Sequence, residues 1–217
     1  NWSHVKSARE ADATIARGFP VLTTDPSVLT ACDAIDVLVE VTGTVEVAAH
    51  VVLEAFDRGK HVILVNCELD SMLGPILKAK ADQAGVVVTN TDGDEPGVAM
   101  TLVRYLRSLG LRPVAAGNLK GMVDYYRTPE TQRAFAEKFD QNVKKVTSFA
   151  DATKLSMEAT VLANATGFHV GRRGMYGPAC AHVQEMARLL PAEEMLSTGL
   201  VDYALGAAPH TGAFAIV

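Results

Sequence analysis

The chain has 217 residues, 48% of them hydrophobic, and its 25 acidic against 20 basic side chains leave a net charge of −5, which excludes a disordered polymer. The basic residues are scattered, so no stripe for a nucleic-acid backbone is evident, and no apolar run reaches the roughly 18 residues that cross a bilayer. Cys32, Cys67 and Cys180 lie far apart without a CxxC pair, which argues against a disulfide framework or a thiolate metal site and fits a reducing, cytoplasmic setting.

The chain starts Asn1-Trp2-Ser3 without an initiator Met and stops in the apolar run Phe214-Ala215-Ile216-Val217, so both ends read as cuts. Up to about residue 110, β-like runs alternate with helical stretches. The run 35–41, rich in β-branched residues, reads as a strand closed by Thr42-Gly43, and 45–58 repeats apolar residues at helical spacing until Gly59. A second unit follows, with a strand over 61–65, a loop over 66–70, a helix over 71–84 stopped by Gly85, and a strand over 86–89. Such alternation implies a parallel sheet with crossovers. The runs VLVEV, HVILV and VVVT are continuous enough to predict strands covered on both faces.

Ligands of open parallel sheets sit beyond the carboxyl ends of the strands, which directs attention to Thr42, Gly43, Asn66 and Glu68. Gly43 would admit a close backbone approach, and Thr42 would offer a hydroxyl. The acidic residues Asp92, Asp94 and Glu95 read as loop and cap residues ahead of a helix starting near Gly97, and no metal is assigned to them.

The texture changes after residue 110. A strand-like run over 114–121 precedes a polar, aromatic stretch, Asp124 to Glu130, and Thr128-Pro129 reads as the start of a helix over 130–139. Ser148 with Asp151 three positions later predicts a capped helix, on which Asp151, Lys154 and Glu158 recur at i, i+3 and i+7 and share one face. The rest of that segment is apolar. A charged stripe on a largely buried helix is costly unless it faces a cleft or finds partners, which predicts a catalytic or substrate-binding cleft.

The segments GKHVILVNCELD, GDEPG, GNLKGMVDYYRTPETQ, TSFADATKLSMEATVLANATGF, RGMYGP and GLVDYALGAAPHTGAF, in this order and spacing, make the chain resemble homoserine-dehydrogenase-like oxidoreductases with a C-terminal SAF domain. This group includes the deoxyxylulose-phosphate-reductoisomerase-like enzymes. The resemblance implies a Rossmann domain for NAD or NADP, of which residues 1–110 read as the later part, and a mixed α/β catalytic domain over 111–217, read as truncated, with SAF-like material beyond. It also implies a dehydrogenase or reductoisomerase acting on a small hydroxylated acid or sugar phosphate, expected to be a homo-oligomer that binds neither membrane nor nucleic acid. Homoserine dehydrogenases proper place Asn-Lys where this chain has Asn66-Cys67-Glu68, and space the helix Asp and Lys four apart rather than three, which counts against homoserine. A non-catalytic nucleotide or metabolite sensor is the other alternative.

Hydride exchange at a carbinol or carbonyl carbon needs a group that handles the hydroxyl proton and a cation that steadies the oxygen. Lys154 is the first candidate, with Asp151 as its orienting partner, and Lys120 at a strand end beside Gly121 is the second. Glu158 shares the cleft face, while Arg127 and Arg172 could grip a carboxylate or phosphate of the substrate.

Overall fold

A computed structural model describes residues 2–217. The chain forms two compact units, residues 1–91 and 92–217. The division thus falls between Thr91 and Asp92 rather than at residue 110, because the helix over 95–108 packs against helix and sheet of the second unit. The change of texture at Arg112-Pro113 lies inside that unit.

The first unit opens with β1 (Ser3–His4), α1 (Ala8–Ile15), β2 (Val21–Leu22) and α2 (Pro26–Ala31), in which β1 and β2 pair in parallel. Next come β3 (Val37–Glu40), α3 (Glu46–Asp57), β4 (His61–Leu64), α4 (Cys67–Ala84) and β5 (Val88–Asn90), and the three strands form a parallel sheet in the order β3-β4-β5. This is the Rossmann-type parallel arrangement that the alternation predicts. Its core joins Val52, Ala55 and Phe56 of α3 and Leu69, Leu77 and Ala81 of α4 to Val62 and Leu64 of β4.

Two expectations are corrected here. The stretch 66–70 is not a loop: Asn66 caps α4 by accepting the Leu69 amide proton, so 67–70 form the first turn of the helix. Nor are the strands covered on both faces, since Leu38 turns to the α3–α4 core while Val37, Val39 and Val87 stand exposed.

The second unit contains α5 (Glu95–Ser108), β6 (Ala115–Lys120), α6 (Pro129–Lys138), α7 (Val143–Ala150), α8 (Thr153–Thr166), β7 (His169–Val170), a 3-10 turn over 183–185, α9 (Met186–Leu189), α10 (Ala192–Ser197), β8 (Leu200–Leu205) and β9 (Thr211–Ile216). Its sheet runs β7-β8-β6-β9, parallel except for β9. Alternation along β6 and β8 separates two cores. Ala116, Val201 and Tyr203 face α5 and α8, while Ala115, Leu119, Leu200 and Ala204 face Met186, Leu190 and Met195. Where the sheet is tightest, Gly117 is obligatory, because a Cβ there would lie 1.6 Å from the Asp202 carbonyl oxygen.

The helix start at Thr128-Pro129 is as expected, with Thr128 and Thr131 bonding reciprocally in a capping box. The helix expected from Ser148 onward is instead two helices. Asn142 caps α7 through the amides of Lys144 and Lys145, and the Ser148 hydroxyl donates to the Lys145 carbonyl inside it. Ala152 then adopts φ 73, and the Asp151 carboxylate accepts from the Thr153 amide to start α8. Among the described residues, no helix is long and apolar enough to cross a membrane.

Candidate functional site

In the second unit the polar side chains converge where the carboxyl half of β6 meets the first turns of α8 and α5. Glu158 is the centre of this group. Only 3% of its side chain is exposed, and its two oxygens face different partners: Lys154 Nζ lies 3.4 Å from Oε1, and Asn118 Nδ2 donates to Oε2 at 2.7 Å. Lys154 comes from one helical turn earlier, and 18% of its side chain remains exposed. Lys120 stands two residues beyond Asn118, hence on the same face of β6, half-buried at the strand end.

Carboxylates crowd this place. Oxygen atoms of Asp94, Glu95 and Glu158 come within 4.8 Å of one another. Burial first, and then the Glu95 charge, raise Glu158 to about 7, against the opposing pull of Lys154. Glu95 is raised too, by burial and by its neighbour Asp94. Three carboxylates so close could admit a hard divalent cation, and the crowding can equally be relieved by the Lys154 ammonium and by a proton held on Glu158. As expected, Asp94 takes the cap position of the helix that follows, but its side chain makes no capping bond.

Asp151 stands ahead of α8, separated from it by the N-cap residue Ala152, and its carboxylate accepts the Thr153 amide proton. Lys154 pairs forward with Glu158. The two arginines are engaged locally. Arg127 pairs with Asp124 at 2.9 Å and donates to Gln132. Arg172 donates to the carbonyls of Met175 and Tyr176 and lies over the Tyr176 ring.

Two loops border the same sheet end. The Tyr203 hydroxyl, beside Asn118 in register, lies 3.1 Å from the Tyr125 hydroxyl and donates to the Gly174 carbonyl. Asp202, fully buried on the other face, accepts the amide protons of Tyr176 and Gly177 and so anchors the loop holding Arg172. Burial raises its carboxyl, and these amides partly restore the charged form. Neither the role of Asn118 nor the meeting of Glu95 with Glu158 is visible in local patterns. A polar residue inside the apolar run VAAGNLK is the one signal that could have singled out Asn118.

In the first unit the turn after β3 is open. Gly43 has φ 66 and no heavy atom within 4 Å of where a Cβ would sit, and Thr42 is exposed beside it. The turn is held from within. Glu40 accepts the Thr42 amide proton, and Asn66 donates to the Thr44 carbonyl. Asn66 is therefore a buried support, 2% exposed, while Glu68 is half-buried in the first turn of α4. An exposed hydroxyl, a bare glycine and a fixed backbone suit the edge of a nucleotide.

Residues 3–89 match the model of the homoserine dehydrogenase NAD-binding domain. Among solved structures, a homoserine dehydrogenase from Thiobacillus denitrificans is similar at 23% identity and a TM-score of 0.44, over 77% of this chain and 40% of that one. A homoserine dehydrogenase of S. aureus is similar at 18% identity and a TM-score of 0.36, over 72% of this chain and 34% of that one. The chain thus spans less than half the length of these structures. No curated protein matches it by sequence. Residues 93–217, more than half of the chain and the whole of the Glu158 cluster, match the catalytic domain of oxidoreductase DRL, and the protein belongs to that family.

Proposed function

We propose that the protein is an NAD(P)-dependent oxidoreductase, a dehydrogenase or reductoisomerase whose substrate is a small hydroxylated acid or sugar phosphate. The observation that carries this reading is the Lys154–Glu158 pair: a half-shielded ammonium backed by a buried carboxyl held near neutrality. Thr42, Gly43 and Glu68 would border the cofactor, with Asn66 behind them supporting the turn. When bound, the nicotinamide supplies or accepts the hydride. Lys154 handles the proton of the reacting oxygen, or steadies its charge, and Glu158 exchanges that proton with Lys154 through Oε1. Lys120, on the same face of the sheet, is the reserve candidate for this role. Arg127 and Arg172 would meet the substrate with the guanidinium N–H groups that their local partners leave over. Asp151 acts through the start of α8.

The reading extends to a homo-oligomeric, cytoplasmic enzyme with a SAF-type domain in the complete protein, on the strength of the resemblance. Its test is NADH and NADPH oxidation against polyol phosphates, sugar acids and homoserine. Lys154→Ala should lower turnover at least about a hundredfold with cofactor affinity nearly unchanged, the scale of a positioned acid or base. Full activity in a folded Lys154→Ala protein would transfer the role to Lys120.

A further inference from the structure

β6 is the strand on which an amide is least expected. It lies inside the four-stranded sheet between β8 and β9, and its residues from Ala115 to Leu119 are all buried. Asn118 is flanked in register by Tyr203 and Ala213, and only 1% of it is exposed. Its Oδ1 has no hydrogen-bond partner among the described residues. A buried acceptor left unpaired destabilises the fold, so an apolar residue would serve folding better at this position. What the amide does provide is one short hydrogen bond, from Nδ2 to Glu158 Oε2 at 2.7 Å. Against the ionised carboxylate the opposite amide orientation would set two acceptors against each other, so the donor faces Oε2.

We propose that Asn118 is a positioning residue, whose amide holds Oε2 of Glu158 and thereby turns Oε1 toward Lys154 Nζ. A glutamate has three side-chain torsions, and a lysine 3.4 Å away on a flexible stem fixes few of them. The amide projects from a rigid central strand. Gripping one oxygen there fixes the carboxylate plane and leaves the other oxygen as the one that faces Lys154. Aspartate would have no donor for Oε2 when ionised, and glutamine would reach one methylene too far. The orphaned Oδ1 is then the stability lost for this orientation, as expected where a local rule is broken for function.

The inference rests on the assignment of Lys154 and Glu158 above, and its experiment separates the two. Crystal structures of Asn118→Leu and Asn118→Asp are compared with the parent protein, alongside melting temperatures and steady-state kinetics with NADPH and the substrate that the panel returns. The expected result is a Glu158 carboxylate rotated away from Lys154, with a melting temperature that does not fall for Asn118→Leu. Turnover should drop by about tenfold to a hundredfold, the scale of a misplaced reacting group, with KM changing less than about twofold. A Glu158 carboxylate that keeps its place in the variants overturns the proposal, and so does failure of both variants to fold. Unchanged turnover in the variants, when Lys154→Ala is inactive, overturns it while sparing the proposed function. An active Lys154→Ala protein transfers the proton role to Lys120 instead, and the Glu158 position in the variant structures still decides whether Asn118 orients it.

Discussion

Burying Glu158 beside Glu95 raises the free energy of its charged form, and Lys154 works in the other direction. The net effect lifts the group from 4.5 in the unfolded chain to about 7. The folded protein therefore holds a proton that the unfolded chain has already released. Stability from this group is fully present below pH 4.5 and is lost as pH rises through about 7. Its size is roughly 3 kcal/mol, because each tenfold change in proton affinity is worth about 1.4 kcal/mol. Glu158→Gln should remove that slope, so the second unit of the variant should lose less stability between acidic and neutral pH than the parent. Burial shifts Asp202 and Glu95 in the same direction, so the measurement is the difference between the two proteins in denaturant melts over a pH series. Parallel curves would mean that Glu158 ionises as an ordinary surface glutamate does.

At the scale of the element, the start of α8 decides what Asp151 is for. Its carboxylate accepts the Thr153 amide proton at 2.8 Å, directly after Ala152 with φ 73. Asp151→Ala should therefore cost about 1 kcal/mol, the usual loss for a helix cap, while Asp151→Asn keeps an accepting oxygen and most of the stability. Both should retain turnover when assayed below their melting temperatures; a turnover loss in Asp151→Asn as large as that of Lys154→Ala would return Asp151 to the chemistry. The elements themselves were largely legible. The periods of 37–40, 46–57 and 61–64, the stop at Gly85 and the Thr128-Pro129 start all have local causes. The break at Ala152 does not, because alanine is a strong helix former and no glycine marks the turn. The same limit applied to the site. Lys154 and Glu158 could be placed on one helix face from spacing, whereas Asn118, forty residues from Glu158, and Glu95 meet it only through the packing of α5, β6 and α8.

At the scale of the whole molecule, two units with separate cores allow binding to one unit to be read apart from the chemistry of the other. NADPH at about a hundred times its dissociation constant should stabilise the unit that binds it by about 2.7 kcal/mol. Hydrogen exchange followed by mass spectrometry should show that protection at residues 40–46 and 66–69, where the open turn at Gly43 and the start of α4 lie. Gly43→Val tests the placement from both sides. A β-branched residue at φ 66 is strained by about 1–2 kcal/mol, so the variant's own unliganded state must be the reference. The branched side chain would also fill the space that is open within 4 Å of the glycine. The expected outcome is a folded protein in which NADPH no longer protects these residues, while the second unit exchanges as in the parent. Equal NADPH protection in the variant and the parent would move the cofactor edge away from Thr42-Gly43, and the Glu158 cluster would then have to be argued without a cofactor site in this turn.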